Sequence, residues 1–319
     1  MAVRQPGGGR GSSPAAGSAS AEPTVEFAFG AVFTSLLRIP LRAAREDSLI
    51  VSDLLPTASG RFWLVDANAA ALKIFSPEGH QLGSLQQRAT GLRRPVSLAS
   101  LHGRWIAALD GHLPAVVILD EAGRVLRRFP LPELDRPVQI CNLDDRRLAV
   151  VGSGWGAGAG RQVHLYTTNG EYIESLFGES RRARKRDRAY VAAAGSAMYL
   201  GHSHTDSFAI YDVDAHGVVA FSNLNASVAE SRGRYSRSGA RLCGLFAASC
   251  GPLIAQYAPE AGARDYSYDL YSLDGTPIAL GLRSPERVVS LEGPLFYSVR
   301  TTERGDNELR VWKLRFEPG

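Results

Sequence analysis

Four residues able to bind a metal ion recur at one place in a repeating pattern of this sequence. Each lies eight residues before the first of a pair of apolar residues, and the four are Asp66, Asp110, His202 and Glu303. His204 lies two positions beyond His202, and side chains two apart on an extended strand point to the same side. Imidazole with carboxylates suits Zn²⁺, whereas carboxylates alone suit Ca²⁺. The pattern predicts a metal site formed by these five residues.

The same residues also have a purely structural interpretation. Residues at strand ends beside turns are commonly polar because they are solvated, and Asp stabilises turns. A single His-x-His pair supplies two ligands, where a structural zinc site needs four. The sequence contains no GxSxG, HExxH, P-loop or protein-kinase motif that would assign a reaction. Both interpretations of the recurring residues therefore stay open.

The apolar pairs mark six copies of one unit, and successive copies lie 44, 47, 45, 60 and 41 residues apart. Two β runs precede each pair, and the first five copies continue into a tight turn and a fourth strand. Each turn contains a glycine that we expect to adopt the positive φ of a tight hairpin, namely Gly79, Gly123, Gly170, Gly217 and Gly275. Four short strands in a period of about 45 residues predict an all-β fold, a single six-bladed β-propeller. The pairs are Ile74-Phe75, Ile118-Leu119, Leu165-Tyr166, Ile210-Tyr211, Leu270-Tyr271 and Val311-Trp312.

The two ends of the chain bear on how this ring closes. The sixth unit stops after its third strand, so we expect part of residues 25–41 to form the outer strand of the last blade. The alternative is a loosely packed N-terminal extension. Residues 1–22 are almost entirely small or polar, which predicts a disordered tail before a propeller over residues 23–319.

The first unit carries a family resemblance. The stretch LVDANAAALKIFSPEGHQLGSL, Leu64 to Leu85, resembles the repeats of the NHL family and of bacterial six-bladed β-propellers, in which a strand ending near Asp-x-Asn leads to an apolar strand and a Gly turn. The resemblance extends over about residues 45–315 and weakens in the last three units. It implies a fold shared by binding scaffolds, lyases and lactonases, and it does not select among them.

Positive charge is concentrated in two links between units. The chain has a net charge of +4, yet residues 181–188 carry +5 and residues 222–241 carry +3, which leaves −4 for the remainder. Such links suit an acidic protein or an anionic membrane surface, although solvated basic loops are the alternative. Few aromatic residues lie nearby, so nucleic acid is not favoured. The predicted partner-binding residues are Arg181, Arg182, Arg184, Lys185, Arg186, Arg188, Arg232, Arg234 and Arg237, together with Trp155 on a glycine-rich loop, which equally suits packing over the channel.

Composition sets the remaining expectations. Three cysteines are too few for a disulfide framework, although a Cys243–Cys250 pair stays open. The chain has no secretory signal and no apolar run long enough to span a bilayer, which predicts a cytoplasmic protein unless the true start lies upstream. We expect a monomer or a subunit of a larger assembly.

These observations favour a binding module without a cofactor. Its connecting-loop face and Arg-rich links would hold an acidic protein or a membrane surface. The alternative is a metal-assisted lyase or lactone hydrolase with Zn²⁺ or Ca²⁺ at the channel mouth.

Overall fold

The fold was obtained as a computed structural model. It describes residues 32–42, 49–144, 146–153, 161–178, 188–203, 207–223, 241–247, 251–259, 263–302 and 306–314. The predicted tail, residues 1–22, lies outside these ranges. Among the described residues, no helix has the length and apolar character needed to cross a membrane.

Six antiparallel sheets of four strands each form the predicted six-bladed β-propeller. The innermost strands contact one another in the order of the chain, and the last contacts the first, which closes the ring. In blades one to three the strands are β2 to β5 (Val51–Pro56, Phe62–Asp66, Ala71–Phe75, Gln81–Leu85), β6 to β9 (Pro95–Leu101, Trp105–Asp110, Ala115–Asp120, Val125–Pro130) and β10 to β13 (Gln139–Asn142, Arg147–Val151, Arg161–Thr167, Tyr172–Gly178).

The remaining three blades repeat this order. Their strands are β14 to β17 (Ala189–Ala194, Ala197–His202, Ser207–Asp212, Gly217–Asn223), β18 to β21 (Leu242–Phe246, Leu253–Tyr257, Tyr266–Tyr271, Pro277–Ser284) and β22 to β24 (Arg287–Glu292, Leu295–Thr301, Asn307–Leu314) with β1 (Phe33–Leu41). A single helical turn, α1 (Gln87–Thr90), follows the first blade.

The core lies between blades rather than within one layer. Six hydrophobic clusters of described residues fill the six interfaces between neighbouring blades. Every residue of β3 and β4 is buried, because both faces of the sheet are covered by neighbouring sheets. The outer strand β5 instead alternates half-buried and exposed side chains. This arrangement explains the consecutive apolar residues of the repeat.

The ring closes through the N-terminal strand, as the sequence predicts. Strand β1 pairs antiparallel with β24, from Phe33 opposite Leu314 to Leu41 opposite Asn307. The chain then reaches the first blade, where the Arg42 amide donates to the Gly79 carbonyl at 2.9 Å. The terminal strand therefore completes the last blade and contacts the first.

In the turns between third and fourth strands, the predicted glycine has positive φ in four blades but not in the fourth blade. Gly79, Gly123, Gly170 and Gly275 have φ between 84° and 94°, where a side chain is strained. In the fourth blade the positive φ falls on His216, at 51°, and Gly217 begins β17 instead. The expectation that Gly217 takes this conformation is wrong, because its turn places the left-handed residue one position earlier.

We expect Gly79→Ala to lower the free energy of unfolding by more than backbone strain alone would, because the new side chain disturbs the segment that closes the ring. A Cβ at Gly79 would lie 2.3 Å from the Pro40 carbonyl oxygen on the closing segment. Gly103→Ala is the matched control, since Gly103 also has positive φ, 65°, but open space around it. Strain alone costs about 1–2 kcal/mol, and we expect a larger loss for Gly79→Ala in the free energy of unfolding measured by denaturant titration. Equal losses in the two variants would contradict this account of the closure.

Candidate functional site at the central channel

The recurring aspartates of the first two blades are bound inside their own blades. Asp66 ends β3, where its Oδ1 accepts the backbone N–H groups of Ile50, Asn68 and Ala69 at 3.0–3.3 Å. Its Oδ2 lies 2.7 Å from Nζ of Lys73, and both side chains are buried. These contacts join the loop that enters the blade to the turn between its second and third strands.

Asp110 occupies the same position in the second blade. Its Oδ2 accepts the Arg93 N–H at 2.7 Å, and its Oδ1 accepts those of Arg94, His112 and Leu113 at 2.8–3.2 Å. In the fourth blade His202 ends β15, and the adjacent Ser203 makes the corresponding contact, its Oγ accepting the Arg188 N–H at 3.0 Å. Carboxylate and hydroxyl oxygens often accept hydrogen bonds from backbone N–H groups of nearby loops and so fix the loop conformation. A residue with this role is called a loop clamp below.

The structure does not bring the predicted metal ligands together among the residues it describes. Asp66, Asp110 and His202 line neither of the two channel cavities described below. Within the described ranges, no cluster of three His, Cys, Asp or Glu side chains is arranged to hold a metal ion. His204 and Glu303 lie outside those ranges, so the metal site stays a prediction.

Most of the predicted partner-binding residues also fall outside the described part of the chain. They are Trp155, Arg181, Arg182, Arg184, Lys185, Arg186, Arg232, Arg234 and Arg237, and the same holds for Cys250. Arg188 is described and is exposed at the start of β14. The strand ends that flank both basic links lie on the face where blades are connected, which is called the inter-blade face below.

A set of arginines that the sequence analysis did not single out surrounds the channel on this face. An Arg directly precedes or begins the inner strand in four of the six blades, and in the third blade Arg136 lies three residues before the start of β10. Backbone pairing makes three of them equivalent: the carbonyls of Arg94, Arg188 and Arg241 each accept an N–H from the end of the second strand at 2.8–2.9 Å. The five, called the channel arginines, are Arg94, Arg136, Arg188, Arg241 and Arg287.

The channel itself is lined by the six inner strands. Near the inter-blade face it forms a cavity of about 100 Å³, and farther in a second cavity of about 270 Å³ is lined by all six strands. Arg188, Tyr190 and Arg287 line the first cavity together with Asp53 and Cys243. The Arg188 guanidinium lies 5.4 Å from the centre of the Tyr190 ring, a cation–π contact.

Side chains at the channel wall also form hydrogen bonds with backbone groups of the innermost strand in the next blade, where no neighbouring strand pairs with them. Asp53 Oδ2 accepts the Leu98 N–H of the next blade at 2.8 Å. Ser97 Oγ accepts the Ile140 N–H at 3.2 Å in the same manner. Gln139 both accepts the Val191 N–H and donates to the Val191 carbonyl, at 3.1 and 2.7 Å. An edge strand otherwise leaves such groups unpaired.

The electrostatic state of the channel wall follows from burial. Burial raises the pKa of the Asp53 carboxyl to about 6, although hydrogen bonds from Ser97, Leu98 and Leu54 act in the opposite direction. Burial likewise raises the pKa of the Cys141 thiol to about 12 and that of Cys243 above its usual value. Neither thiol is therefore an activated nucleophile at neutral pH.

No protein-family model matches the chain, and no curated protein matches it. Several solved structures are nevertheless similar to it in fold. A Bacteroides fragilis protein whose export is inferred aligns with a TM-score of 0.63 at 11% identity, over 92% of this chain and 98% of that one. A member of the DUF4221 family from Bacteroides vulgatus aligns with a TM-score of 0.58 at 11% identity, over 90% and 99%.

Virginiamycin B lyase from Staphylococcus aureus is a third similar structure. It aligns with a TM-score of 0.58 at 9% identity, over 88% of this chain and 99% of the lyase. Identities this low establish the fold alone. The chain is a six-bladed β-propeller of the kind found in these bacterial proteins, and the narrower resemblance to NHL repeats remains a resemblance.

Proposed function

We propose that this protein is a binding module whose inter-blade face holds an acidic segment of a partner protein. The observation that carries the proposal is the set of channel arginines. Four of them, Arg94, Arg136, Arg188 and Arg241, are exposed, and Arg287 is half-buried. The scaffold fixes their backbone positions around one opening, and together their charges form a positive surface.

The pairing of these arginines supports an external partner. Arg136 lies 3.5 Å from Asp135, but both side chains are exposed, so this ion pair is weak. Arg94 donates from its guanidinium to the Gly111 carbonyl at 2.7 Å, which orients the group without neutralising it. Arginine binds carboxylates with two parallel hydrogen bonds, and acidic side chains are therefore the natural complement.

A protein segment suits this surface better than a membrane. The arginines encircle an opening, and a concave ring accepts a protruding chain more readily than a flat bilayer. The exposed apolar side chains that would insert into lipid are mostly on the outer strands, for example Leu82, Leu126 and Val219. The predicted basic links, if they extend this face, would add to the same attraction.

The metal-assisted lyase or lactone hydrolase remains the second candidate. Its support is the shared fold with virginiamycin B lyase, which carries no information on the reaction at this identity. The described carboxylates Asp66 and Asp110 already accept several backbone amides each. A catalytic metal would therefore depend on His204 and Glu303, for which the structure gives no positions. The cytoplasmic location also stays a prediction.

We expect the three channel arginines that lie outside the channel cavities, called the rim arginines (Arg94, Arg136 and Arg241), to determine binding of an acidic polypeptide. The triple variant Arg94→Gln, Arg136→Gln and Arg241→Gln should bind poly-L-glutamate about tenfold more weakly than wild type at low salt, since rim charges mainly steer and hold an oppositely charged partner. Affinity is measured by fluorescence anisotropy over a range of salt concentrations. The matched control carries Arg104→Gln, Arg124→Gln and Arg146→Gln, which remove the same charge from the opposite face and should leave binding unchanged.

Two outcomes would contradict the binding proposal. One is equal weakening by the rim and control variants, which would indicate attraction to overall charge only. The other is tight binding to phosphatidylserine vesicles without binding to poly-L-glutamate, which would favour the membrane.

We expect Asp66 to act as a loop clamp and not as a metal ligand. Asp66→Ala leaves the buried ammonium of Lys73 unpaired, which costs about 3–5 kcal/mol in the free energy of unfolding. This loss should be the same with and without a chelator in a denaturant titration. As a control, Asp135→Ala removes an exposed carboxylate that pairs with the exposed Arg136, so its cost should stay below about 1 kcal/mol. A loss that vanishes once a chelator is added to both proteins would instead indicate a bound metal.

A further inference from the structure

The smaller channel cavity has the composition of an anion site. Two guanidinium groups, those of Arg188 and Arg287, line this space of about 100 Å³. Arg287 reaches it from β22, and one of its terminal nitrogens lies 3.4 Å from the Val51 carbonyl across the junction of blades six and one. Arg188 reaches it from the start of β14 and is oriented by the Tyr190 ring. Two separate blades thus place cations at one opening.

Among the described residues that line the cavity, Asp53 is the one acidic side chain that could balance the two arginines. Asp53 lines the cavity, but its oxygens already accept the N–H groups of Leu54 and Leu98, both at 2.8 Å. Tyr190 and Cys243 stay neutral at physiological pH, because burial raises the pKa of both groups. The described lining therefore carries more positive than negative charge, and its guanidinium donors have no other described carboxylate in the cavity.

The size of the cavity limits what can neutralise this charge. A water molecule occupies roughly 30 Å³ in the liquid, so the space holds only a few waters or one compact group. A guanidinium fork matches the oxygens of a carboxylate, sulfate or phosphate group. Ser97 and Gln139, which also line the cavity, add a hydroxyl and an amide at its wall.

We infer that the channel mouth is a binding site for the oxyanion group of a small molecule, held between Arg188 and Arg287. The remainder of such a ligand would extend into the wider section of about 270 Å³, whose wall includes Ile140, Leu245 and Phe246. This site shares Arg188 and Arg287 with the proposed docking surface for an acidic protein. Arg94, Arg136 and Arg241 do not line the cavity, so variants at those three residues distinguish the two proposals.

The site should depend on pH through Asp53. The charged group that faces Asp53 from another blade is Arg287, and Ser97 and the Leu98 amide face it from β6. Protonation of Asp53 as the pH falls below its raised pKa of about 6 removes the negative charge beside the anion. Anion binding should therefore strengthen as the pH falls from about 7.5 to about 5, by about threefold for one charge in a partly solvated site.

The test is isothermal titration of the full chain with sulfate, whose charge does not change over this pH range, at an ionic strength held constant with chloride. We expect saturable binding of one sulfate, weakened about tenfold or more by Arg188→Gln and by Arg287→Gln. Arg94→Gln is the matched control, since it removes the same charge from the same face outside the cavity. Arg188 is exposed, so its variant should fold normally, and a thermal melt of each variant checks this.

Acetate and inorganic phosphate are titrated in the same way at about pH 7.5. Comparing them shows whether the site prefers a carboxylate or a phosphate group. Binding of either that is lost in the Arg188 and Arg287 variants supports the site and identifies its chemistry. The inference is overturned if neither these anions nor sulfate bind saturably to wild type, or if Arg94→Gln weakens binding as much as Arg287→Gln. Because the rim variant retains Arg188 and Arg287, loss of its poly-L-glutamate binding with sulfate binding intact would separate the two proposals.

Discussion

The structure depends on the satisfaction of sheet edges. Each blade has an inner and an outer edge, and an unpaired edge leaves a row of amide and carbonyl groups without partners. At the last blade this need is met by the chain itself, because β1 supplies the fourth strand that the C-terminal unit lacks. At the channel it is met by side chains, with Asp53, Ser97 and Gln139 each bonding to the backbone of the next blade. The ring and the wall of its channel thus rest on the same requirement.

The fold was largely predictable, because packing requires apolar residues at the same positions of every blade and the repeat is therefore visible in the sequence. Apolar pairs such as Ile74-Phe75 recur because both faces of each sheet are covered, and the incomplete sixth unit required a strand donor. The donor lies within the predicted stretch, at Phe33–Leu41. Gly217 was harder, because Gly fits both a left-handed turn position and the first position of a strand, and the length of the turn decides between them.

The candidate site was less predictable, for a physical reason. An Asp at the end of a strand serves equally as a metal ligand or a loop clamp, and only the positions of surrounding amides distinguish them, as they do at Asp66 and Asp110. The channel arginines did leave a signal, since in five blades an Arg begins the inner strand or lies at most three residues before it. The raised pKa of Asp53 left none, because it depends on burial in the folded ring, where the residues facing Asp53 come from β6 and β22, far away in the sequence.

The bridging side chains at the inner edges also act as spacers of different length. Ser97 is the shortest and joins blades two and three, whereas Gln139 is the longest and joins blades three and four. The wall of the channel is therefore fastened side chain to backbone at these junctions, so a substitution at Ser97 or Gln139 changes the contact between two particular blades.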